Sequence, residues 1–244
     1  MPLLTFAASP PCNQAPVDSA LPDSERSQQL TNRAFACVKA GRALQSIALF
    51  SELIGVDPES SQAYLNRGNI YLQIRQLDAA LADYNHVIKL KPRHFEGWYN
   101  RGTAHLAARR YKEALADLSE AIKLEPNFSR AYCNRGLSYL RGGEFEQARV
   151  DFEKGLQLEV NLPLCYFGRG EIYFANGKYR DAIEDLTSGI NLKPDAEALA
   201  HRAAAYEGLG EGSKALNDYR KALSLQPRLK EAQNGIARLS RKKQ

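Results

Sequence analysis

The sequence predicts an all-α fold, a right-handed superhelix of about six helix–turn–helix repeats closed by a C-terminal capping helix. Three observations support this. Glycines recur at intervals of 34 residues, an alanine follows each of them after twelve residues, and the segments between have the apolar spacing of amphipathic helices. The glycines and alanines are Gly68, Gly102, Gly136, Gly170, Ala80, Ala114, Ala148 and Ala182.

Each repeat is expected to contain two helices of about 13 residues, such as 61–74 and 77–90 in the second repeat. Gly68 and Ala80 are small, so the two helices can approach closely. Pro92 cannot continue a helix interior and predicts the turn into the next repeat. A single helix pair buries little surface, so each repeat depends on its neighbours.

The interval divides the chain into three predicted parts. Residues 1–26 contain five of the eleven prolines and are expected to form a disordered arm. Residues 27–228 form the repeat array, and residues 229–244 form the capping helix and a basic tail. The predicted repeats are 27–60, 61–94, 95–128, 129–162, 163–195 and 196–228. The fifth repeat is one residue shorter, near Asp195.

These columns of residues resemble the tetratricopeptide repeat (TPR) family, whose pattern is W-x₂-L-G-x₂-Y, then A-x₃-F, then P. The second repeat carries the pattern at Tyr64, Gly68, Tyr71, Ala80, Tyr84 and Pro92. Arginine stands where the family has leucine. The resemblance covers more than four-fifths of the chain and implies a protein-binding scaffold, with other proteins as partners and no cofactor.

Two charged columns recur together. The arginines are Arg33, Arg67, Arg101, Arg135, Arg169 and Arg202, and aspartates stand sixteen residues later in five repeats, at Asp83, Asp117, Asp151, Asp185 and Asp218. Arginine has a planar fork that suits a carboxylate. The spacing therefore predicts ion pairs between the helices of each repeat in preference to a phosphate-binding surface.

An asparagine column is the candidate binding feature, formed by Asn32, Asn66, Asn100 and Asn134. Asn66 lies about 160° from Gly68 on a helical wheel, so it points away from the predicted core. A carboxamide both donates and accepts, so it can pair with a peptide group. The resemblance places this column in the concave groove of TPR arrays, and it is similar to the ladder of O-GlcNAc transferase. The alternative is that duplication copied a solvated residue. The column ends after Asn134, because glycine and histidine replace asparagine in the last two repeats, at Gly168 and His201.

The predicted function is therefore a scaffold or adaptor that binds an extended peptide segment of a partner protein. The candidate groove residues are Asn32, Asn66, Asn69, Asn100, Asn134, Glu96, Arg130 and Arg141. Capture of chaperone C-terminal tails is doubtful, because Leu65 and Asn134 replace two cations of the known carboxylate clamp. A targeting or regulatory subunit of an enzyme or chaperone complex is the alternative function.

The net charge of +5 does not describe a basic surface. Residues 228–244 contain six bases and one acid, so the rest of the chain is balanced. This distribution argues against nucleic acid as a partner, and weak binding of anionic lipid or RNA by the tail is a less favoured alternative.

Other classes of site lack a signature in the sequence. No apolar segment reaches the length of a membrane helix. The cysteines show no paired spacing, which predicts free thiols and a cytoplasmic protein. The glycines at 208, 210 and 212 are interpreted as a turn. No catalytic constellation, metal site, cofactor or small-molecule substrate is predicted, and the oligomeric state stays open. The cysteines are Cys12, Cys37, Cys133 and Cys165.

Overall fold

The computed structural model describes residue 12 and residues 17–241, and in that part of the chain thirteen helices and no strands are found. The helices are α1 (Asp23–Lys39), α2 (Ala43–Val56), α3 (Ser61–Gln73), α4 (Leu77–Leu90), α5 (Phe95–Ala107), α6 (Tyr111–Leu124), α7 (Ser129–Gly142), α8 (Phe145–Leu158), α9 (Pro163–Ala175), α10 (Tyr179–Leu192), α11 (Ala196–Gly208), α12 (Gly212–Leu225) and α13 (Lys230–Arg241). The predicted all-α repeat solenoid is confirmed.

The chain divides into two compact units, Met1–Leu124 (unit 1) and Glu125–Gln244 (unit 2). Unit 1 contains the helix pairs α1/α2, α3/α4 and α5/α6, and unit 2 contains α7/α8, α9/α10 and α11/α12 followed by α13. Within each unit the two helices of a pair pack together, and each second helix packs on the next first helix. The sequence did not predict this division.

The core of each repeat forms where a large side chain of the second helix meets a glycine of the first. Tyr84 on α4 is fully buried, and a Cβ atom added at Gly68 on α3 would lie 2.8 Å from its ring. Leu118 faces Gly102 in the same way on α6 and α5. The recurring glycine is therefore required by the close approach of the two helices.

A residue with left-handed backbone follows the first helix of every repeat. Four positions are glycines with φ of 69° to 83°, but Arg75 and Arg109 adopt φ of 64° and 60°. Glycine adopts this conformation readily, whereas other residues are disfavoured there by their Cβ atom. The glycines are Gly41, Gly143, Gly177 and Gly210. The last of these confirms that the glycines at 208–212 form a turn.

Both ends of the described chain contribute to the cores. At the start, α1 begins at Asp23, inside the predicted arm, and Val17 is buried beside Leu30. Most of the predicted arm, residues 1–11 and 13–16, lies outside the described residues. At the end, α13 buries Ala232 and packs on α11 and α12, while residues 242–244 of the basic tail lie outside the described part.

The prediction of free thiols was wrong, because all four cysteines are in disulfides. Cys12 bonds Cys37 in unit 1, and Cys133 bonds Cys165 in unit 2, with Cα atoms 4.9 and 5.1 Å apart. The partners are distant in sequence: Cys133 and Cys165 meet where α7 packs on α9, whereas Cys12 precedes the first helix and bonds a residue of α1. Disulfides persist mainly in oxidising compartments, so the predicted cytoplasmic location loses the support of its thiols.

Candidate functional site on the first helices

The arginine and aspartate columns form buried ion pairs, as predicted. Arg67 donates from Nε and Nη2 to the two carboxylate oxygens of Asp83, at 2.9 and 2.7 Å. The same two-bond geometry joins four further pairs, in which each aspartate is nearly inaccessible. These pairs are Arg101–Asp117, Arg135–Asp151, Arg169–Asp185 and Arg202–Asp218. Hydrogen bonding to Asp83 raises the pKa of Arg67 above its ordinary value.

This seam of ion pairs is structural, and aromatic rings also contact the guanidinium groups of Arg67, Arg101, Arg135 and Arg169. Arg67 lies over the rings of Tyr64 and Tyr71, with its central carbon 5.7 and 5.9 Å from their centroids. An arginine held by a carboxylate and two rings presents little of itself to a phosphate. The arginine column therefore belongs to the packing between helices and is not part of the candidate site.

In unit 1 the candidate site consists of amide side chains on α1, α3 and α5. Asn32 is exposed, while Asn66 and Asn100 are half-buried. A glutamine one turn earlier donates to the first two asparagines, from Gln28 to Asn32 at 3.1 Å and from Gln62 to Asn66 at 3.2 Å. Each pair leaves the asparagine amide nitrogen as a donor at the helix surface.

Two other predicted residues of unit 1 make contacts of their own. The carboxamide oxygen of Asn69 accepts a hydrogen bond from the hydroxyl of Tyr84 at 2.8 Å, which directs Asn69 towards the second helix of its repeat. Glu96 is half-buried, and its carboxylate lies 3.8 Å from the ring nitrogen of His94. Asn69 is therefore oriented by the second helix of its repeat, whereas Asn32 and Asn66 are oriented by glutamines on their own helices.

In unit 2 the asparagine column changes character and stops. Asn134 is only 8% exposed, whereas Arg130, one helical turn earlier, is exposed. At the next position, Gly168, an added Cβ atom would overlap the ring of Phe152, which is fully buried. The column ends there because a core ring on α8 occupies the space that a side chain would need.

A cavity of about 250 Å³ opens on the first helices of unit 2. Arg141 lies on its wall and donates to Glu171 at 2.7 Å. Leu229 contributes an apolar, buried wall. The lining residues are Arg141, Glu171, Glu197, Ala200, His201, Leu229 and Glu231. With one arginine against three glutamates, the cavity carries net negative charge.

The sequence singled out only Arg141 among these residues, although it contained a signal for others. Glu197 and Glu231 stand in the same repeat position as Glu96 and Arg130, once the residue lost near Asp195 is allowed for. His201 stands in the asparagine column. The repeat positions that were assigned to the groove therefore line a cavity in unit 2.

Other kinds of site are not found in the described residues. No group of three or more side chains there is arranged to hold a metal ion. Across residue 12 and residues 17–241, no helix is long and apolar enough to cross a membrane.

Comparison with known families identifies the fold family. The sequence model of the ETO1 C-terminal domain matches residues 43–243, which is most of the chain. The chain belongs to the ETO1 C-terminal domain family. In this member the matched region begins at α2 and includes every asparagine of the column except Asn32. No curated protein sequence matches the chain.

Several solved structures share this fold at low sequence identity. PilF of Pseudomonas aeruginosa is 21% identical, with a TM-score of 0.76 over 88% of this chain and 99% of that one. The Cut9–Hcn1 structure of the APC/C gives 16% identity and a TM-score of 0.81 over 88% of this chain and 43% of that one. YrrB, described as a TPR protein with an unusual peptide-binding site, is 21% identical, with a TM-score of 0.56 over 76% and 96%. These likenesses show the TPR-type fold.

Proposed function

We propose that this chain is a non-catalytic scaffold whose first helices bind an extended peptide segment of a partner protein. The observation that carries the proposal is the cavity of unit 2. Glu197, His201 and Glu231 occupy the repeat positions that sequence periodicity assigns to an inner binding face, and they line it together. A surface of this kind on the same face of successive repeats suits a ligand that runs along the repeats of the unit.

The amide side chains of unit 1 suit the backbone of such a ligand. An asparagine can donate and accept at once, as a peptide group requires. Asn32 and Asn66 are each oriented by a glutamine, which leaves their amide nitrogens to donate to a peptide carbonyl. Recognition of this kind depends on the ligand backbone and is tolerant of its sequence. YrrB, a structural relative, is itself described as having a peptide-binding site, which is consistent with the proposal.

The cavity of unit 2 suits a cationic side chain of the partner. Arg141 is already paired with Glu171, so its charge is met within the cavity. Glu197 and Glu231 remain as carboxylates beside the apolar surface of Leu229 and Ala200. A lysine could lay its methylene groups on that apolar surface and place its ammonium group between the two carboxylates. Regulatory-subunit and tail-mediated functions stay predictions.

The backbone-binding step is tested with fluorescein-labelled, flexible twelve-residue peptides of degenerate sequence, each pool with a fixed central lysine, leucine or glutamate. We expect the Asn32→Ala/Asn66→Ala/Asn100→Ala variant to bind every pool at least about tenfold more weakly by fluorescence anisotropy, since several charge-neutral hydrogen bonds are lost. Circular dichroism establishes that its helicity is retained.

The matched control replaces three exposed asparagines that lie outside the first helices, at 127, 161 and 191. It should bind like the wild-type chain. Equal affinity of the inner-face variant and this control for all pools would refute the backbone-binding role.

The cationic preference is tested separately with Glu197→Gln/Glu231→Gln. The wild-type chain should bind the lysine pool more tightly than the leucine pool, and the variant should lose this difference while it keeps its affinity for leucine. The control variant Glu113→Gln/Glu184→Gln removes exposed charges from α6 and α10 and should keep the preference. A preference that survives in the Glu197/Glu231 variant would exclude the cavity as its source.

A further inference from the structure

The repeats of each unit contain a recurring junction where a first helix, its second helix and the next first helix pack together. In unit 1 the junction is formed by Leu65, Val87 and Gly97, and a Cβ atom added at Gly97 would lie 2.9 Å from Val87. Leu65 and Val87 belong to the same buried cluster. The side chains of Leu65 and Val87 thus fill the space beside Gly97.

The equivalent junctions of unit 2 are filled differently. On α9, α10 and α11 the residues are Phe167, Gly189 and Ala198, and the phenylalanine ring lies against the glycine. On α7, α8 and α9 the residues are Cys133, Gly155 and Cys165. On α11, α12 and α13 the residues are Ala200, Ala222 and Ala232, which are all buried. Among these junctions of unit 2, the sulfur junction is the one that is joined covalently.

Gly155 makes room for the disulfide. A Cβ atom at this position would lie 2.7 Å from Sγ of Cys165 and 3.1 Å from Sγ of Cys133. The two cysteines are 0% and 2% exposed. The bond therefore lies in the core beneath α8 and holds α7 against α9, two helices that also pack directly on each other.

We propose that the Cys133–Cys165 disulfide is a redox-controlled fastening of unit 2, whose loss loosens α7 from α9. Without the bond, the two sulfur atoms must separate from covalent to van der Waals distance. Because α8 at Gly155 already lies against both sulfur atoms, this separation displaces α7 or α9 from its packed position. The junctions of unit 1, which contain no cysteine at these positions, do not respond to redox state.

The chemical step is thiol–disulfide exchange with a dithiol. One thiolate of the reductant attacks a cysteine sulfur and forms a mixed disulfide, and its second thiol resolves that bond. The chain gains two thiols, and the reductant leaves as its own disulfide, so two electrons and two protons are transferred. Because both sulfurs are buried, the exchange requires opening of the α7–α9 packing, which keeps the bond intact in the closed unit.

The test uses the full chain with Cys12→Ala/Cys37→Ala, so that only the unit 2 disulfide remains. Dithiothreitol should lower its midpoint of thermal unfolding by roughly 10 °C, the size expected for a disulfide that closes a loop of this length. Amide exchange should increase in α7 and α9 while α3 and α5 serve as the internal reference. Reoxidation should restore both the unfolding midpoint and the slower amide exchange of α7 and α9.

A second variant keeps the test decisive. In the same background, Cys133→Leu/Gly155→Val/Cys165→Gly rebuilds the unit 1 junction in unit 2, and we expect its unfolding and exchange to be insensitive to dithiothreitol. The proposal is overturned if reduction leaves α7–α9 exchange unchanged in the cysteine chain. It is equally overturned if alkylation and mass spectrometry find free thiols at 133 and 165 in the air-oxidised, folded chain.

Discussion

The first helices of the two units share their packing residues and differ in the chemistry of their inner positions. Unit 1 presents amides, in which glutamines orient Asn32 and Asn66. Unit 2 presents a charged cavity around Arg141, Glu197 and Glu231. The ion-pair seam is the same in both. The comparison shows that the repeat preserves how helices pack, while the surface that we propose to bind a ligand differs in chemistry between the two units.

The largest effect is expected from breaking the feature that the units share. Asp151→Ala in unit 2 and Asp117→Ala in unit 1 each leave a partly buried arginine without its carboxylate, so each should lower the free energy of unfolding by about 3 kcal/mol. Chemical denaturation measures this. Asp78, which is 95% exposed beside Arg110, provides the control, because its removal should change stability by less than about 0.5 kcal/mol. Unequal losses in the two units would contradict a common seam.

Placing an asparagine at position 168 would extend the asparagine column into unit 2. Gly168→Asn should destabilise the unit by about 2–3 kcal/mol, because the new Cβ atom overlaps the ring of Phe152. Phe152→Leu supplies the smaller residue that stands at this position in α6 and α10, as Leu118 and Leu186. Combining it with Gly168→Asn should recover much of the loss. If thermal unfolding shows no recovery, the ring is not what ends the column.

A smaller effect distinguishes the two inner faces by salt. Raising sodium chloride from 50 to 500 mM should reduce the preference for lysine-containing peptides several-fold, because screening weakens the attraction to the exposed Glu197 and Glu231. Binding through the neutral amides of unit 1 should change little, as measured with leucine-containing peptides. A lysine preference that is independent of salt would assign it to apolar contact with Leu229.

The smallest effect concerns the turns. Arg75→Gly and Arg109→Gly in unit 1 should each stabilise the chain by up to about 1 kcal/mol, because both arginines adopt positive φ. Gly143→Ala in unit 2 should destabilise it by a similar amount. Differential scanning calorimetry resolves these shifts. Destabilisation by Arg75→Gly would show that its side chain contributes more than its backbone conformation costs.

The features that could be predicted from sequence are those that repeat. The helix pairs, the turn glycines and the arginine–aspartate seam each occupy a fixed position in the period, and a pair such as Arg135 and Asp151 is visible as two columns. Even the glutamates of the cavity could have been found, since Glu197 and Glu231 occupy the repeat position of Glu96 and Arg130, which the sequence had assigned to the groove. Periodicity identifies residues that share an environment.

The features that could not be predicted depend on contacts outside the period. Cys133 and Cys165 are 32 residues apart, so they occupy different positions in successive repeats and meet only because α7 packs on α9. The loss of asparagine at Gly168 follows from the size of Phe152 on another helix. The burial of Asn134, compared with exposed Asn32, likewise depends on the surroundings and not on the column.

The residue missing near Asp195 has a consequence for how the array could grow. Asp195 caps α11 through its side chain, which accepts from the amide of Ala198 at 2.9 Å, and both flanking helices keep full length. Arg202 and Asp218 still stand sixteen residues apart. Insertions and deletions are therefore absorbed by the connectors, and the inherited unit is the helix pair. A search for distant copies should hold the sixteen-residue spacing fixed and let the interval between pairs vary.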